Sequence, residues 1–176
     1  MKKIILLFYL FLSGFQGFSQ DKINWLSIED AYKNISIKPK KVIIDVYTGW
    51  CGWCKVMDKS TFTNPAVIKY INENYYAVKF DAESQKDVKI GTTVYKYDAA
   101  NKANQAAIAL LGGKMSYPSI VYLDEKFNMI QPIPGYQDAK AFHQIITYIG
   151  GNFHKKEDFE KYKIGTYKVK YKDAKI

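Results

Sequence analysis

Short apolar runs and amphipathic segments alternate along most of the chain, a pattern that predicts a sheet covered by helices. A run rich in β-branched residues, 42–47, is typical of a strand buried on both faces. The order helix, strand, helix, helix, strand, insert, helix, strand, strand, helix indicates a mixed central sheet with helices on both faces, an α/β fold. Further strands are predicted at residues 76–80, 119–123 and 129–133, and helices after the capping residues Ser27, Asn64 and Asp138 and from Cys51 to about Ser60.

The first twenty residues differ in character from the rest. Two lysines precede an unbroken apolar run at residues 4–12, and small residues follow at positions 17 and 19. This pattern is typical of a secretory signal peptide, and the run is shorter than the roughly 20 residues of a membrane-spanning helix. We therefore expect residues 1–19 to be a cleaved signal peptide and the mature protein to be exported, to the periplasm or elsewhere outside the cytoplasm. The alternative is a retained membrane anchor.

The charge of the chain narrows the choice of partners. The net charge is +9, and all 26 basic residues are lysine. Bidentate contacts to phosphate and guanine favour arginine, so no nucleic-acid partner is expected. Residues 151–176 carry eight lysines and four acidic residues, and we expect them to form a solvated, basic extension after a main domain at residues 20–150. Contact of this extension with a membrane surface or cell wall is the alternative.

The two cysteines of the chain, Cys51 and Cys54, lie three residues apart between a predicted strand and a predicted helix. A disulfide that closes so small a loop removes little unfolded-state entropy, so a purely structural pair is the weaker interpretation. The N-terminus of the helix would stabilise a thiolate at Cys51, which can attack a disulfide, and Cys54 can resolve the product. A zinc site would need His143 and His154, which lie far along the chain, and no metal is expected.

Asp45 interrupts the apolar run, six residues before Cys51. A carboxylate on a central strand costs desolvation energy, which indicates that it has a task. Burial would raise the pKa of Asp45 and suit it to accept and return the proton of Cys54 during exchange. The alternative is an aspartate at a strand edge that faces solvent.

The sequence resembles the thioredoxin superfamily over about residues 25–150. Residues 44–55, IDVYTGWCGWCK, match the strand, the buried aspartate and the Trp-Cys-x-x-Cys-Lys motif of that family, and residues 116–119, SYPS, match its proline before a strand. The resemblance implies a three-layer thioredoxin-like fold in which Pro118 forms a cis peptide bond that faces the cysteines. It also implies that the backbone at Tyr117 pairs with the substrate, and we expect Trp50 and Trp53 to flank the sulfurs. Gly135 resembles the family's glycine before the last helix.

The function implied by the resemblance is that of an extracytoplasmic protein disulfide reductase, similar to exported thioredoxin-like proteins of Bacteroidetes-type bacteria. We expect protein disulfides as substrates, a membrane-embedded electron donor, no cofactor and a monomer. The dipeptide Gly52-Trp53 differs from the Gly-Pro of reducing thioredoxins and from the histidine-containing dipeptides of oxidants and isomerases. A disulfide oxidase or isomerase is therefore an alternative. A second alternative is a non-catalytic binding module, which the lysine- and tyrosine-rich tail would favour.

The segment between the second strand and Pro118 is longer than in the minimal fold of that family. We interpret about residues 84–113 as an insert. Gly91-Thr92 lies between residues 87–90 and 93–97, which predicts a β-hairpin, and the alanine-rich residues 99–111 predict a helix. The hairpin either borders the site and helps to select partners, or is a peripheral addition.

Overall fold

The computed structural model describes residues 22–176, so the predicted signal peptide lies outside the described residues. The strands are β1 (Trp25–Leu26), β2 (Lys41–Tyr47), β3 (Tyr75–Asp81), β4 (Val88–Ile90), β5 (Thr93–Tyr95), β6 (Tyr97–Asp98), β7 (Ala103–Asn104), β8 (Ser119–Leu123) and β9 (Met129–Pro134). The helices are α1 (Ile28–Ile37), α2 (Gly52–Ser60), α3 (Pro65–Asn74), α4 (Gln105–Leu110), α5 (Ala139–Gly150), α6 (Phe159–Ile164) and α7 (Thr166–Lys170), with a short 3-10 helix at Phe153–Lys155.

The central sheet has the order β1-β3-β2-β8-β9. Strands β1 and β2 run parallel to β3, whereas β8 is antiparallel to both β2 and β9. Apolar side chains of α1 and α4 cover one face of the sheet, and those of α2, α3 and α5 cover the other. The predicted mixed sheet between two helical layers is therefore confirmed, and β2 lies in its middle because its apolar run can be buried on both faces.

Three of the predicted helix starts are confirmed by side-chain caps. Ser27 Oγ accepts a hydrogen bond from the backbone N–H of Asp30 at 3.0 Å, and Asn64 Oδ1 accepts one from Ala66 at 3.0 Å. Asp138 Oδ1 accepts one from the backbone N–H of Ala141 at 2.8 Å. Each cap satisfies a backbone donor that the first helical turn leaves without a partner.

The insert contains the predicted hairpin but a shorter helix than predicted. Strands β4 and β5 pair through Gly91-Thr92, whereas the helix predicted at residues 99–111 begins only at Gln105. Asn104 explains the difference, because its buried Nδ2 donates to the carbonyls of Ser84 and Lys86 at 3.1 and 3.0 Å while Oδ1 caps α4. These contacts and the pairing of β6 with β7 hold residues 97–104 out of a helix.

The hairpin packs at the end of β8 that is distant from Pro118. The backbone N–H of Lys89 donates to Glu29 of α1 at 3.2 Å, and Ile90 and Tyr95 line a cavity with Leu123, the last residue of β8. Since Pro118 precedes the first residue of β8, these contacts favour the alternative that the hairpin is a peripheral addition. Packing against α1 anchors it elsewhere.

The C-terminal extension folds back onto the domain. Tyr162 and Tyr167 are only 0% and 6% exposed. The Tyr162 hydroxyl donates to Thr147 Oγ1 at 2.8 Å, and the Tyr167 hydroxyl shares a hydrogen bond of 3.0 Å with His143 Nδ1, both partners being on α5. The expectation of a solvated terminus is therefore wrong for the tyrosines, because an aromatic face of α6 and α7 packs on α5 while lysines face outward. No helix among residues 22–176 has the length and apolarity that a membrane crossing requires.

Candidate active site

Cys51 and Cys54 form a disulfide at the N-terminus of α2. Cys51 is the N-cap residue, and its Sγ accepts a hydrogen bond from the backbone N–H of Cys54 at 3.1 Å. The turn before it is closed by the Cys51 N–H, which donates to the Thr48 carbonyl at 3.2 Å. The Cys54 N–H and the positive end of the helix dipole thus lie at the sulfur of Cys51, an environment that stabilises a thiolate.

Two aromatic pairs flank the cysteines. Cys51 and Cys54 are each 4% exposed. Trp50 and Trp53 are 67% and 61% exposed. The ring of Trp50 meets Tyr117 edge to face at a centroid distance of 5.8 Å, and the ring of Trp53 lies 5.1 Å from that of Tyr136. The exposed rings provide a surface on which a polypeptide can lie while its disulfide meets the sulfurs.

The loops at Pro118 and Gly135 meet beside the cysteine turn. The Tyr117–Pro118 peptide bond is cis, and the Pro118 carbonyl accepts a hydrogen bond from the Gly135 N–H at 2.8 Å. Gly135 has a φ of 94°, which favours glycine. Because Tyr117 touches Trp50, the loop before β8 lies against the residue before Cys51. The structure therefore places the Pro118 loop, which the resemblance implied would face the cysteines, against the motif.

Asp45 is buried in β2 and is paired with a cation. It is 2% exposed, which excludes the solvent-facing alternative, and its Oδ2 accepts a hydrogen bond from Lys79 Nζ at 3.0 Å. Burial raises the pKa of Asp45 to about 6, although the charge and hydrogen bond of Lys79 oppose the shift. A carboxyl group with this pKa can accept and return a proton near neutral pH.

Lys79 connects the strand before the cysteines with the helix that begins at them. Its Nζ also donates to Asp58 of α2, one turn after Cys54. Burial opposes its charge, but the two carboxylates together raise the pKa of Lys79. The charged Nζ lies over the rings of Trp25, Tyr47 and Phe62 at 5.3, 5.1 and 5.4 Å, contacts that further favour the ammonium form.

Four residues of this region were missed by reasoning from the sequence: Asp58, Lys79, Glu83 and Tyr136. Lys79 carries the same signal as Asp45, since it is a charge within a predicted strand. Asp58 follows Cys54 by one helical turn, so the sequence could have predicted that both side chains lie on the same face of α2. Glu83, whose Oε1 accepts a hydrogen bond from Trp50 Nε1 at 2.9 Å, and Tyr136, which packs on Trp53, lie in loops whose position depends on tertiary packing. His143 lies apart from these groups, in the interface with the C-terminal extension, where burial lowers its pKa to about 4.

Comparison with known proteins identifies the family to which the chain belongs. A family model named Thioredox_DsbH (Protein of unknown function, DUF255) matches residues 14–163. The chain belongs to this family. It is similar to the uncharacterized protein B0495.5 of Caenorhabditis elegans, with 28% identity over 107 residues that make up 61% of this chain and 13% of that protein. It is also similar to the thiol:disulfide interchange protein DsbD of Pectobacterium atrosepticum, with 25% identity over 119 residues, 66% of this chain and 18% of DsbD. The chain thus spans less than a fifth of these curated relatives.

Solved structures share the fold of this Thioredox_DsbH family member. A DsbH oxidoreductase has a TM-score of 0.56 at 14% identity, over 80% of this chain and 92% of that one. A thioredoxin-fold protein from Helicobacter pylori has a TM-score of 0.56 at 19% identity, over 82% and 97% of the two chains. At these identities the likeness shows the fold alone, and it confirms the predicted thioredoxin fold. The family, the fold and the Cys51–Cys54 disulfide together place a cysteine pair that is capable of thiol–disulfide exchange in a thioredoxin fold.

Proposed function

We propose that the protein reduces disulfides of other proteins outside the cytoplasm. One observation carries the proposal: the Cys51–Cys54 disulfide caps α2 between two exposed tryptophans and beside the Pro118 loop. A staple of the fold would not need an exposed aromatic surface around a pair that closes so small a loop. The signal-like pattern of residues 1–19 supports the location.

The reaction uses the dithiol form of the pair. The thiolate of Cys51 attacks one sulfur of the substrate disulfide, a mixed disulfide forms, and the other substrate sulfur leaves as a thiolate. Cys54 then attacks the sulfur of Cys51 and releases the second substrate thiolate. The substrate gains two electrons and two protons, while Cys51 and Cys54 lose two electrons and return to the disulfide.

Asp45 serves the second step in this proposal. Cys54 must lose its proton before it attacks, and a carboxylate whose pKa lies at about 6 can take that proton at neutral pH. Lys79 holds the carboxylate in place and connects it to α2 through Asp58. Pro118 and the backbone of Tyr117 position the substrate segment, and Trp50 and Trp53 supply its apolar contacts.

The residues between the cysteines support the reducing direction of exchange. Neither Gly52 nor Trp53 carries an ionisable side chain, so neither can place a positive charge beside the thiolate of Cys51. A cationic histidine there would stabilise the reduced form and make the pair a stronger oxidant. Similarity to DsbD, a thiol:disulfide interchange protein, supports the exchange chemistry. A membrane-embedded dithiol donor would return the pair to its reduced form, and the protein would act as a monomer.

Reduction of insulin by dithiothreitol tests the proposal. The wild-type protein should accelerate the reaction, and the variant with Cys51→Ser and Cys54→Ser should not. Equal rates for the two would favour the non-catalytic binding module. Equilibration with glutathione buffers then measures the redox potential: a value near about −270 mV fits a reductase, whereas a value near about −120 mV would indicate an oxidase and contradict the proposed direction.

A further inference from the structure

The two sides of the disulfide differ in charge. On the Trp50 side, Glu83 Oε1 accepts a hydrogen bond from the indole Nε1 of Trp50 at 2.9 Å. Asp81 Oδ1 accepts one from the backbone N–H of Glu83 at 2.9 Å, which holds the two residues together at the end of β3. Partial burial and then the charges of Glu83 and Asp81 raise the pKa of Tyr117, whose ring meets that of Trp50.

The opposite side is apolar. Trp53 and Val56 lie three residues apart on α2 and therefore on one helical face, and they are 61% and 41% exposed. Tyr136 packs against Trp53 with a centroid distance of 5.1 Å and is itself 38% exposed. A substrate segment that crosses the cysteines thus meets carboxylates on one side and an apolar surface on the other.

The carboxylates on the Trp50 side are not neutralised within the described part of the chain. The ion pairs between residues 22 and 176 do not include Asp81 or Glu83. Lys79, two residues before Asp81, is held by Asp45 and Asp58 instead. A lysine or arginine side chain from outside can therefore pair with these carboxylates and lie against the rings of Trp50 and Tyr117.

We propose that the site selects disulfides whose flanking sequence has a basic residue on the Trp50 side and an apolar residue on the Trp53 side. The inference rests on the proposed function, since it specifies the protein substrates of the same cysteine pair. The net charge of +9 does not oppose it at physiological salt, because charges separated by more than about 8 Å are screened while the contact pair is not. Charge complementarity of this kind discriminates between partners.

A set of disulfide-linked peptides tests the selection. The peptides differ only in having lysine, glutamine or glutamate next to one cysteine, on either side, and kcat/KM is measured at about 0.15 M salt. The wild-type protein should reduce the best lysine peptide about tenfold faster than the matching glutamate peptide. Glu83→Gln keeps an oxygen that can accept from Trp50 but removes the charge, and should lower this ratio to about threefold. Glu160→Gln, an exposed acid on α6, serves as the matched control and should leave the ratio unchanged.

The outcomes separate the two proposals. Equal rates for all peptides, or a ratio that Glu83→Gln leaves unchanged, would overturn the selection while the reductase function stands. Failure to reduce any peptide would overturn the reductase function. In that case the selection is tested by peptide binding to the Cys51→Ser, Cys54→Ser variant, monitored through tryptophan fluorescence. Tighter binding of the lysine peptide than of the glutamate peptide would support the selection, and equal binding would overturn it.

Discussion

Replacing Asp45 by asparagine should make the oxidised protein more stable at neutral pH. The carboxyl group is 2% exposed, and its Oδ1 has no hydrogen-bond partner within residues 22–176. Burial raises its pKa from 3.8 to about 6 in spite of the pair with Lys79. The ionised form is therefore less favourable in the folded protein than in the unfolded chain. Asparagine keeps the size of the side chain and removes the charge.

The size and pH range of the effect follow from the shift. Below pH 3.8 the carboxyl group is protonated in both states and does not make the free energy of unfolding depend on pH. Between pH 3.8 and about 6 the folded state holds the proton more tightly than the unfolded chain, so the stability falls as the pH rises. Each pKa unit corresponds to about 1.4 kcal/mol, so the wild-type protein loses about 3 kcal/mol by pH 7 through this group. Asp45→Asn avoids that loss, and its advantage should grow from near zero at low pH to about 3 kcal/mol above pH 6.

Urea unfolding of the oxidised proteins at pH values from 3.5 to 7.5 measures this difference. The oxidised state is used because the disulfide does not titrate. Asp87→Asn, a change at an exposed aspartate of the insert, is the matched control. Its free energy of unfolding relative to the wild type should not change with pH. A variant at Asp45 that is less stable than the wild type at pH 7 would refute the reasoning, since the ion pair with Lys79 would then outweigh the cost of burial.

Three further changes test other contacts. Lys79→Met removes the cation beside Asp45, so the pKa of Asp45 should rise further and the pH-dependent loss of stability should extend to higher pH. A loss of stability over the same pH range as in the wild type would contradict the pairing of Lys79 with Asp45. Tyr167→Phe leaves His143 Nδ1 buried without a partner and should cost about 1–3 kcal/mol in urea unfolding, whereas no measurable loss would show that the ring alone stabilises the extension. Gly91→Ala places a Cβ at a φ of 61° and 3.0 Å from the Tyr32 hydroxyl, and should lower the thermal midpoint more than Gly91→Asn, which tolerates that φ; the reverse order would argue against backbone strain.

Local signals in the sequence were sufficient for β2, β3, β8 and β9 of the central sheet and for the start of the redox helix, whereas the two-residue edge strand β1 was not predicted. Residues 42–47 form β2 because their side chains are apolar on both faces, and Cys51 caps α2 because a turn separates it from that strand. Asp45 stood out because a charge in a buried strand requires a partner or a task. Each of these signals lies within a short stretch of the chain.

Features that depend on distant contacts could not be predicted in the same way. Alanine propensity favoured a helix at residues 99–111, but the hydrogen bonds of Asn104 to the carbonyls of Ser84 and Lys86 outweighed it. The extension looked solvated because its lysines dominate the composition, while the burial of its tyrosines depends on a surface provided by α5. Asp58 and Glu83 likewise acquire their roles only when Lys79 and Trp50 are placed beside them.

The contact of the extension with α3 and α5 sets an order for folding during synthesis. The rings of Tyr70 and His143 meet those of Tyr167 and Tyr171, so they stay uncovered until residue 171 has been made. A nascent chain can complete the central sheet and the cysteine turn by residue 150 and still present this uncovered aromatic surface. Partly folded chains with such surfaces are prone to aggregate.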